Sequence, residues 1–164
     1  MQNINKLKID KYITECDKHQ KRINSAYHKI ANKLPLNAQS YQNLTEDDIE
    51  HIDQFLFRYA KLQDAIGQRL FKTLLNYLEE ETEGLPFIDI LNKLEKLNLI
   101  ESVEQWQTLR EIRNAISHEY DDNPQLMAHT LNTVFQSKDQ LLRIYQNLTH
   151  EYQKRQLNEQ VQIT

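Results

Sequence analysis

The chain has 164 residues, with 24 acidic and 20 basic side chains and a formal net charge of −4. This balance excludes a protein that holds nucleic acid by bulk positive charge, so any phosphate contact must come from a local cluster of Arg and Lys or from one built by two subunits. Two Gly and three Pro cannot supply the many turns of a sheet-rich fold.

The cysteine content and the lengths of the apolar runs indicate the cellular compartment of the protein. The one cysteine, Cys16, permits no intramolecular disulfide and suggests a reducing compartment. The N-terminal stretch MQNINKLKIDKYITE has no continuous apolar core, and no run approaches the roughly 18 apolar residues of a membrane span. We therefore expect a cytoplasmic protein without a secretory signal and without a membrane partner.

The first predicted helix covers about residues 5–34 and ends at Pro35. Its apolar residues recur at steps of three and four, which is typical of an amphipathic helix. They are Leu7, Tyr12, Cys16, Ile23, Ala26, Tyr27, Ile30 and Leu34. The segment 35–43 is predicted to be a polar connector.

The second predicted helix begins at Thr45, a capping residue that three acidic residues follow. Its helical period continues to Gly84, a plausible C-cap. Gly67 lies within the helix, where glycine costs up to about 1 kcal/mol against alanine. Either a close helix contact or a tolerated weak position would explain it.

Three more helices are predicted, which makes an all-α antiparallel bundle of about five. Pro86 opens a short third helix, and Ser102 with Gln105 fits a capping box that begins the fourth. The fifth covers about 125–155, and its heptad stripe favours packing inside a bundle over a separate coiled coil. We expect one domain over 1–155 and a frayed tail over 156–164.

The fourth helix carries the segment LREIRNAISHEYDD, residues 109–122. At about 100° per residue, its apolar residues share one face, which should pack on the core. The polar candidates share the adjoining face: Arg110, Arg113, Asn114, Ser117, His118 and Tyr120. Helical geometry alone favours a solvated or interface-forming face over a chemical site.

The spacing within RNAISHEY, residues 113–120, resembles the signature of the HEPN superfamily. It is most similar to the toxin of HEPN–MNT toxin–antitoxin pairs, in which MNT is a minimal nucleotidyltransferase. There the motif is Arg, four residues, His, one residue and Tyr, which here are Arg113, His118 and Tyr120. The resemblance covers roughly residues 45–150 in helix order and is specific only over the motif.

The resemblance implies an all-helical homodimer whose two motif helices meet across a two-fold axis. It implies a metal-independent ribonuclease toxin with a nucleotidyltransferase antitoxin as its partner, and no cofactor. It also implies that AMP units can be added to Tyr120, which would silence the toxin.

The residue types fit that chemistry. Metal-free RNA cleavage needs a base, an acid and positive donors around the phosphorus that the 2′-hydroxyl attacks. His118 can exchange protons near neutral pH, and Arg113 can grip phosphate with two donors. Asn114 would orient His118 or donate to phosphate, with Arg110 and Ser117 in support.

Two other functions stay open from the sequence. One is a non-catalytic partner that helps a nucleotidyltransferase to bind its substrate, and the other is a plain helical interaction protein. The six histidines show no paired metal spacing, and no glycine-rich phosphate loop is present. Arg58, Lys61 and Arg69 on the second helix would form a solvated face or widen a basic groove.

Overall fold

The computed structural model describes residues 2–116 and 123–163, which form six helices without a strand. The first two are α1, Gln2–Ile30 with a 3-10 turn at Ala31–Lys33, and α2, Ala38–Gln42. Helix α3 joins Glu46–Ala65, a π-helical turn at Ile66–Leu70, and Phe71–Tyr77. The others are α4, Phe87–Lys96, α5, Val103–Ile116, and α6, Pro124–Ile163. The all-helical prediction is confirmed.

The structure has one helix more than the five predicted, because the predicted connector 35–43 contains the short helix α2. Asn37 caps α2 by accepting from the Ser40 amide at 2.8 Å, and the Ser40 hydroxyl accepts from the Asn37 amide at 2.8 Å. Asn132 of α6 then bonds both the amide and the carbonyl of Leu36, each at 2.8 Å. Local capping and one tertiary contact thus order a segment that has no apolar period.

Helix α3 begins where the sequence predicts, because its start depends on local chemistry. The Asp48 amide donates to the Thr45 hydroxyl at 3.1 Å, and the Thr45 amide donates to the Asp48 carboxylate at 3.0 Å. Lys33 also pairs with Asp48, which ties α1 to this cap.

The predicted end of the same helix at Gly84 is wrong. Helix α3 ends at Tyr77, where Glu79 takes the left-handed conformation with φ 63° and the Glu80 amide donates to the Leu75 carbonyl at 2.9 Å. This arrangement closes a helix as a glycine would. Gly84, with φ 74°, instead belongs to the turn in which the Leu85 amide bonds the Thr82 carbonyl.

Helix α6 runs antiparallel to α1, and tyrosines join the two. Tyr145 donates to Asp17 at 2.6 Å, and Tyr152 donates to Asp10 at 3.0 Å. Helix α6 extends to Ile163, and the predicted fraying of residues 156–164 stays a prediction. Tyr77 of α3 donates to Glu159 at 2.8 Å, which links the exposed last turns of α6 to α3.

The core lies between α1, α3 and α6, with α4 and α5 closing one side. The stripe on α6 packs inside the bundle, as predicted: Leu131, Val134, Leu141, Tyr145, Leu148 and Tyr152 are all buried. On α1 one predicted core residue is wrong, because Leu7 is 71% exposed and Ile9 is buried instead. No helix in the described ranges has both the length and the apolar character that crossing a membrane requires.

Candidate functional site

The structure divides the predicted site residues into two groups. Arg110, Arg113 and Asn114 lie on the last turns of α5 and are described. Ser117, His118 and Tyr120 lie outside the described residues, so their predicted roles stay predictions.

Helix α5 is placed by its apolar face and by its first turn. Trp106 and Leu109 are buried, and Ile112 and Ile116 pack half-buried against the core, which confirms the predicted apolar face. At the first turn the Gln105 amide donates to the Ser102 hydroxyl at 3.3 Å.

Gly67 explains how closely α5 approaches α3. A Cβ atom at this position would lie 2.9 Å from Cζ2 of the Trp106 indole, well inside van der Waals contact. The glycine therefore serves a close helix contact, the first of the two explanations open from the sequence. The edge of the Trp106 ring meets Phe71, with the ring centroids 4.7 Å apart, so the indole is held on a second side.

A cavity of about 450 Å³ opens beside this contact, between α3, α4 and α5. Its volume is within the range of small-molecule sites, about 300–1,000 Å³. The walls combine apolar and polar side chains: Gln63, Asp64, Gly67, Gln68, Lys72, Leu85, Phe87, Ile90, Trp106, Arg110, Arg113 and Asn114. All three described candidate residues, Arg110, Arg113 and Asn114, thus line one cavity.

Arg113 is fixed at the cavity by a carboxylate that the sequence analysis did not single out. Its Nη2 donates to Asp64 Oδ2 at 2.8 Å, and each side chain is about a third exposed. The Arg113 Nε is buried and has no hydrogen-bond partner among the described residues. Asp64 therefore orients the guanidinium and neutralises part of its charge.

The rim of the cavity is nevertheless positive. Arg110 lies over the Phe87 ring at 5.0 Å from the centroid, a cation–π contact that leaves the side chain exposed. Lys72 is exposed on the α3 side. Among the described lining residues three are basic and Asp64 alone is acidic, which makes a formal local charge of +2 on a chain of net charge −4.

Beneath the cavity wall lie buried polar atoms that no sequence motif indicated. Gln63 is 2% exposed and Trp106 is 1% exposed. Within the described chain, neither the amide oxygen and nitrogen of Gln63 nor the indole nitrogen of Trp106 has a hydrogen-bond partner. One sequence signal could have found Gln63, which is a polar residue on the apolar face of α3, four residues after Tyr59 and three before Ile66.

The three basic residues on the second predicted helix do not extend this site. Arg58 contacts the His19 ring at 3.1 Å and Arg69 pairs with Glu15 at 2.6 Å, so both face α1. The Lys61 amino group lies 5.5 Å from the centroid of the Phe57 ring. None of the three is among the residues that line the cavity, and a groove widened by them is not formed in the described structure.

Two titratable side chains inside the bundle have shifted pKa values. Burial raises the pKa of the Cys16 thiol to about 12, which suppresses the nucleophilic thiolate. Burial and the nearby Arg58 lower the pKa of His19, which favours the neutral imidazole. Over residues 2–116 and 123–163 no three His, Cys, Asp or Glu side chains lie close enough together to hold a metal ion.

Comparison with models of known protein families, with curated proteins and with solved structures finds no match for this chain. The resemblance carried by residues 113–120 is therefore a hypothesis, to be weighed with the geometry of the cavity.

Proposed function

We propose that the chain is the toxin of a type VII-like HEPN–MNT toxin–antitoxin pair, a metal-independent endoribonuclease that acts as a cytoplasmic homodimer. One structural observation supports this: Arg110, Arg113 and Lys72 converge on one cavity beside Asn114, although the whole chain is acidic. A local positive cluster is what an acidic protein needs in order to hold an RNA phosphate.

The proposed reaction is an internal transfer at phosphorus. The 2′-oxygen of RNA bonds to the adjacent phosphorus while the bond to the 5′-oxygen breaks. His118 of one subunit takes the 2′-hydroxyl proton, and His118 of the second copy gives a proton to the leaving 5′-oxygen. The products are a 2′,3′-cyclic phosphate and a 5′-hydroxyl.

Arg113 stabilises the charge that builds on the phosphorane oxygens, with Arg110 and Ser117 in support. A guanidinium has five N–H donors, and the bond to Asp64 uses one of them at Nη2. Asp64 can therefore orient Arg113 without occupying all of its donors. Asn114, one residue further along α5, orients His118 or donates to a phosphate oxygen.

The test is RNA cleavage by the purified protein in EDTA. We expect His118→Ala and Arg113→Ala to abolish cleavage. Matched controls are His28→Ala on α1 and Arg143→Ala on α6, which remove exposed side chains that do not line the cavity. Equal cleavage by the His118→Ala protein would show that the mechanism is wrong.

Silencing by the antitoxin has a separate readout. In the proposed pair, AMP added to Tyr120 places bulk and negative charge beside the phosphate-binding face. Mass spectrometry after co-expression with a neighbouring minimal nucleotidyltransferase should show added mass on Tyr120. Modification at other residues alone would contradict this part of the proposal.

The alternative is a non-catalytic partner that helps a nucleotidyltransferase to bind its substrate. The ion pair between Arg113 and Asp64 favours it, because a partly neutralised guanidinium is a weaker phosphate clamp. RNase activity of the purified protein, together with toxicity when the protein is expressed without the nucleotidyltransferase, would exclude the alternative. Their absence, together with stable binding to the nucleotidyltransferase, would establish it.

A further inference from the structure

Helix α1 concentrates positive charge in a chain that is acidic overall. It contains seven Lys or Arg residues and three Asp or Glu residues, whereas the rest of the chain contains 13 basic and 21 acidic residues. The helix therefore has a formal charge of +4, and the rest of the chain has a formal charge of −8. Such a separation of charge within one chain indicates a surface for a charged partner.

The acidic residues of α1 lie on the flanks where the helix meets its neighbours. Glu15 pairs with Arg69 of α3 at 2.6 Å. Asp17 and Asp10 accept hydrogen bonds from tyrosines of α6, at 2.6 Å and 3.0 Å. All three carboxylates are thus bound to neighbouring helices, which leaves the outer face of α1 to its basic residues.

Five basic residues share this outer face. At about 100° per residue they fall within an arc of about 100° opposite the buried Ile9, and no acidic residue of α1 falls in that arc. We name them the basic stripe: Lys11, Lys18, Lys21, Arg22 and Lys29. All five are exposed, and none forms an ion pair with a described residue. At about 1.5 Å per residue the stripe is about 27 Å long.

The composition of the basic stripe selects its partner. Surfaces that bind proteins are centred on aromatic and apolar residues and are poor in lysine, whereas the stripe contains four lysines and no apolar residue. A helix that lies in a membrane surface turns its apolar face to the lipid, but that face of α1 is buried, with Ile9, Cys16 and Ile23 in the core. A row of phosphates needs only cations along a line.

We propose that the basic stripe binds the phosphate backbone of an RNA strand without reading its sequence. None of the described residues that line the cavity belongs to α1, so the stripe is a surface separate from the cavity. It holds one part of a long RNA while another part reaches α5. That the strand is a substrate rests on the proposed nuclease function, whereas its binding to the stripe does not.

The first measurement is the salt dependence of RNA binding. The full-length His118→Ala protein is titrated into a fluorescently labelled single-stranded RNA of about 20 nucleotides, longer than common single-strand sites, and anisotropy reports binding. Five phosphate contacts contribute about −3.5 to the slope of log affinity against log salt concentration. The affinity should therefore fall about a hundredfold or more between about 50 and 200 mM salt. An affinity that stays constant over this range would overturn the proposal.

A triple variant tests whether the stripe supplies these contacts. Lys18→Gln, Lys21→Gln and Lys29→Gln together remove three positive charges, and glutamine keeps good helix propensity. We expect the salt slope to shrink by about 2 and the affinity at about 100 mM salt to fall at least about tenfold. The melting temperature should not change, because the three residues are exposed. Unchanged RNA affinity in this variant would refute the assignment to the stripe.

The matched control removes the same charge elsewhere. Lys96→Gln on α4, with Arg143→Gln and Lys154→Gln on α6, changes three exposed residues that form no ion pair with a described residue. Both triple variants have the same net charge, so only the location of the lost charges differs. We expect the control to bind RNA as the natural chain does. Equal losses in the two variants would show that RNA responds to net charge alone, and would overturn the proposal.

Two comparisons test the nature of the partner. RNA strands of different sequence should bind the natural chain with similar affinity, because backbone contacts carry no sequence information. A strong preference for one sequence that the stripe variant loses would contradict binding through the backbone. Vesicles that contain phosphatidylserine should bind the natural chain and the stripe variant alike. If vesicle binding needs the stripe and RNA binding does not, the stripe is a lipid surface and the proposal fails.

The outcome for the stripe is separate from the outcome for the nuclease. RNase activity of the natural chain, with unchanged RNA affinity in the stripe variant, would refute the stripe and leave the proposed function intact. RNA binding that needs the stripe, in a natural chain without RNase activity, would refute the proposed function and leave the stripe intact.

Discussion

Gly67→Ala tests the close contact on which the shape of the cavity depends. The added methyl group would lie 2.9 Å from Trp106 Cζ2, and the indole cannot retreat freely because it is 1% exposed and packed against Phe71. Overpacking of this kind costs about 1–3 kcal/mol. Alanine recovers up to about 1 kcal/mol of helix propensity. We therefore expect a net loss of about 1 kcal/mol in the free energy of unfolding.

Urea unfolding followed by far-ultraviolet circular dichroism measures this loss, and a double-mutant cycle assigns its cause. In a Trp106→Phe background the benzo ring of the indole, which contains Cζ2, is gone. Gly67→Ala should then be neutral or stabilising. The coupling free energy should be about 1 kcal/mol or more.

Gly84→Ala is the matched control, because Gly84 has φ 74° and no heavy atom within 4 Å of its added Cβ. Its cost arises from the backbone alone and should be the same in both Trp106 backgrounds. The reasoning is refuted if Gly67→Ala stabilises the natural chain, or if its cost does not change when Trp106 is replaced.

Two further predictions concern groups whose pKa the fold shifts. Lys33 and the Thr45 amide lower the pKa of Asp48 below its ordinary 3.8, so its contribution to stability is present above that value and is lost as the pH falls through the folded pKa. Asp48→Asn should therefore reduce the loss of unfolding free energy between about pH 5 and pH 2. The matched control, Asp47→Asn, changes an exposed carboxylate and should leave that loss as in the natural chain. The same pH dependence in both variants would contradict the assignment to Asp48. Burial raises the pKa of Cys16 to about 12, so its thiol should react with a disulfide reagent only after denaturation, and rapid labelling of the native protein would disprove its burial.

Predictions from sequence succeeded where the cause is local. The start of α3 at Thr45 needs only a hydroxyl and a carboxylate three residues apart. The apolar stripe on α6 and the buried face of α5 follow from helical period. In each case the residues that decide the outcome lie within one or two turns of one another.

Predictions of local structure failed where a contact with a residue far along the chain determines that structure. Helix α2 is held by Asn132, which lies 96 residues from Leu36. The end of α3 is a local exception: its left-handed residue is Glu79 and not a glycine, so the preference for glycine after a helix pointed to the wrong position.

The same division applies to the site. The sequence by itself determined an all-helical chain and placed Arg110, Arg113 and Asn114 on one polar face of one helix, because side-chain direction on a helix depends only on residue number. Only the tertiary structure decided that Asp64 binds Arg113 across 49 residues, that Gly67 admits Trp106, and that Gln63 lies beneath them. The physical reason is that α3, α4 and α5 meet through shape and volume, which are properties of the packed helices together and not of any one helix alone.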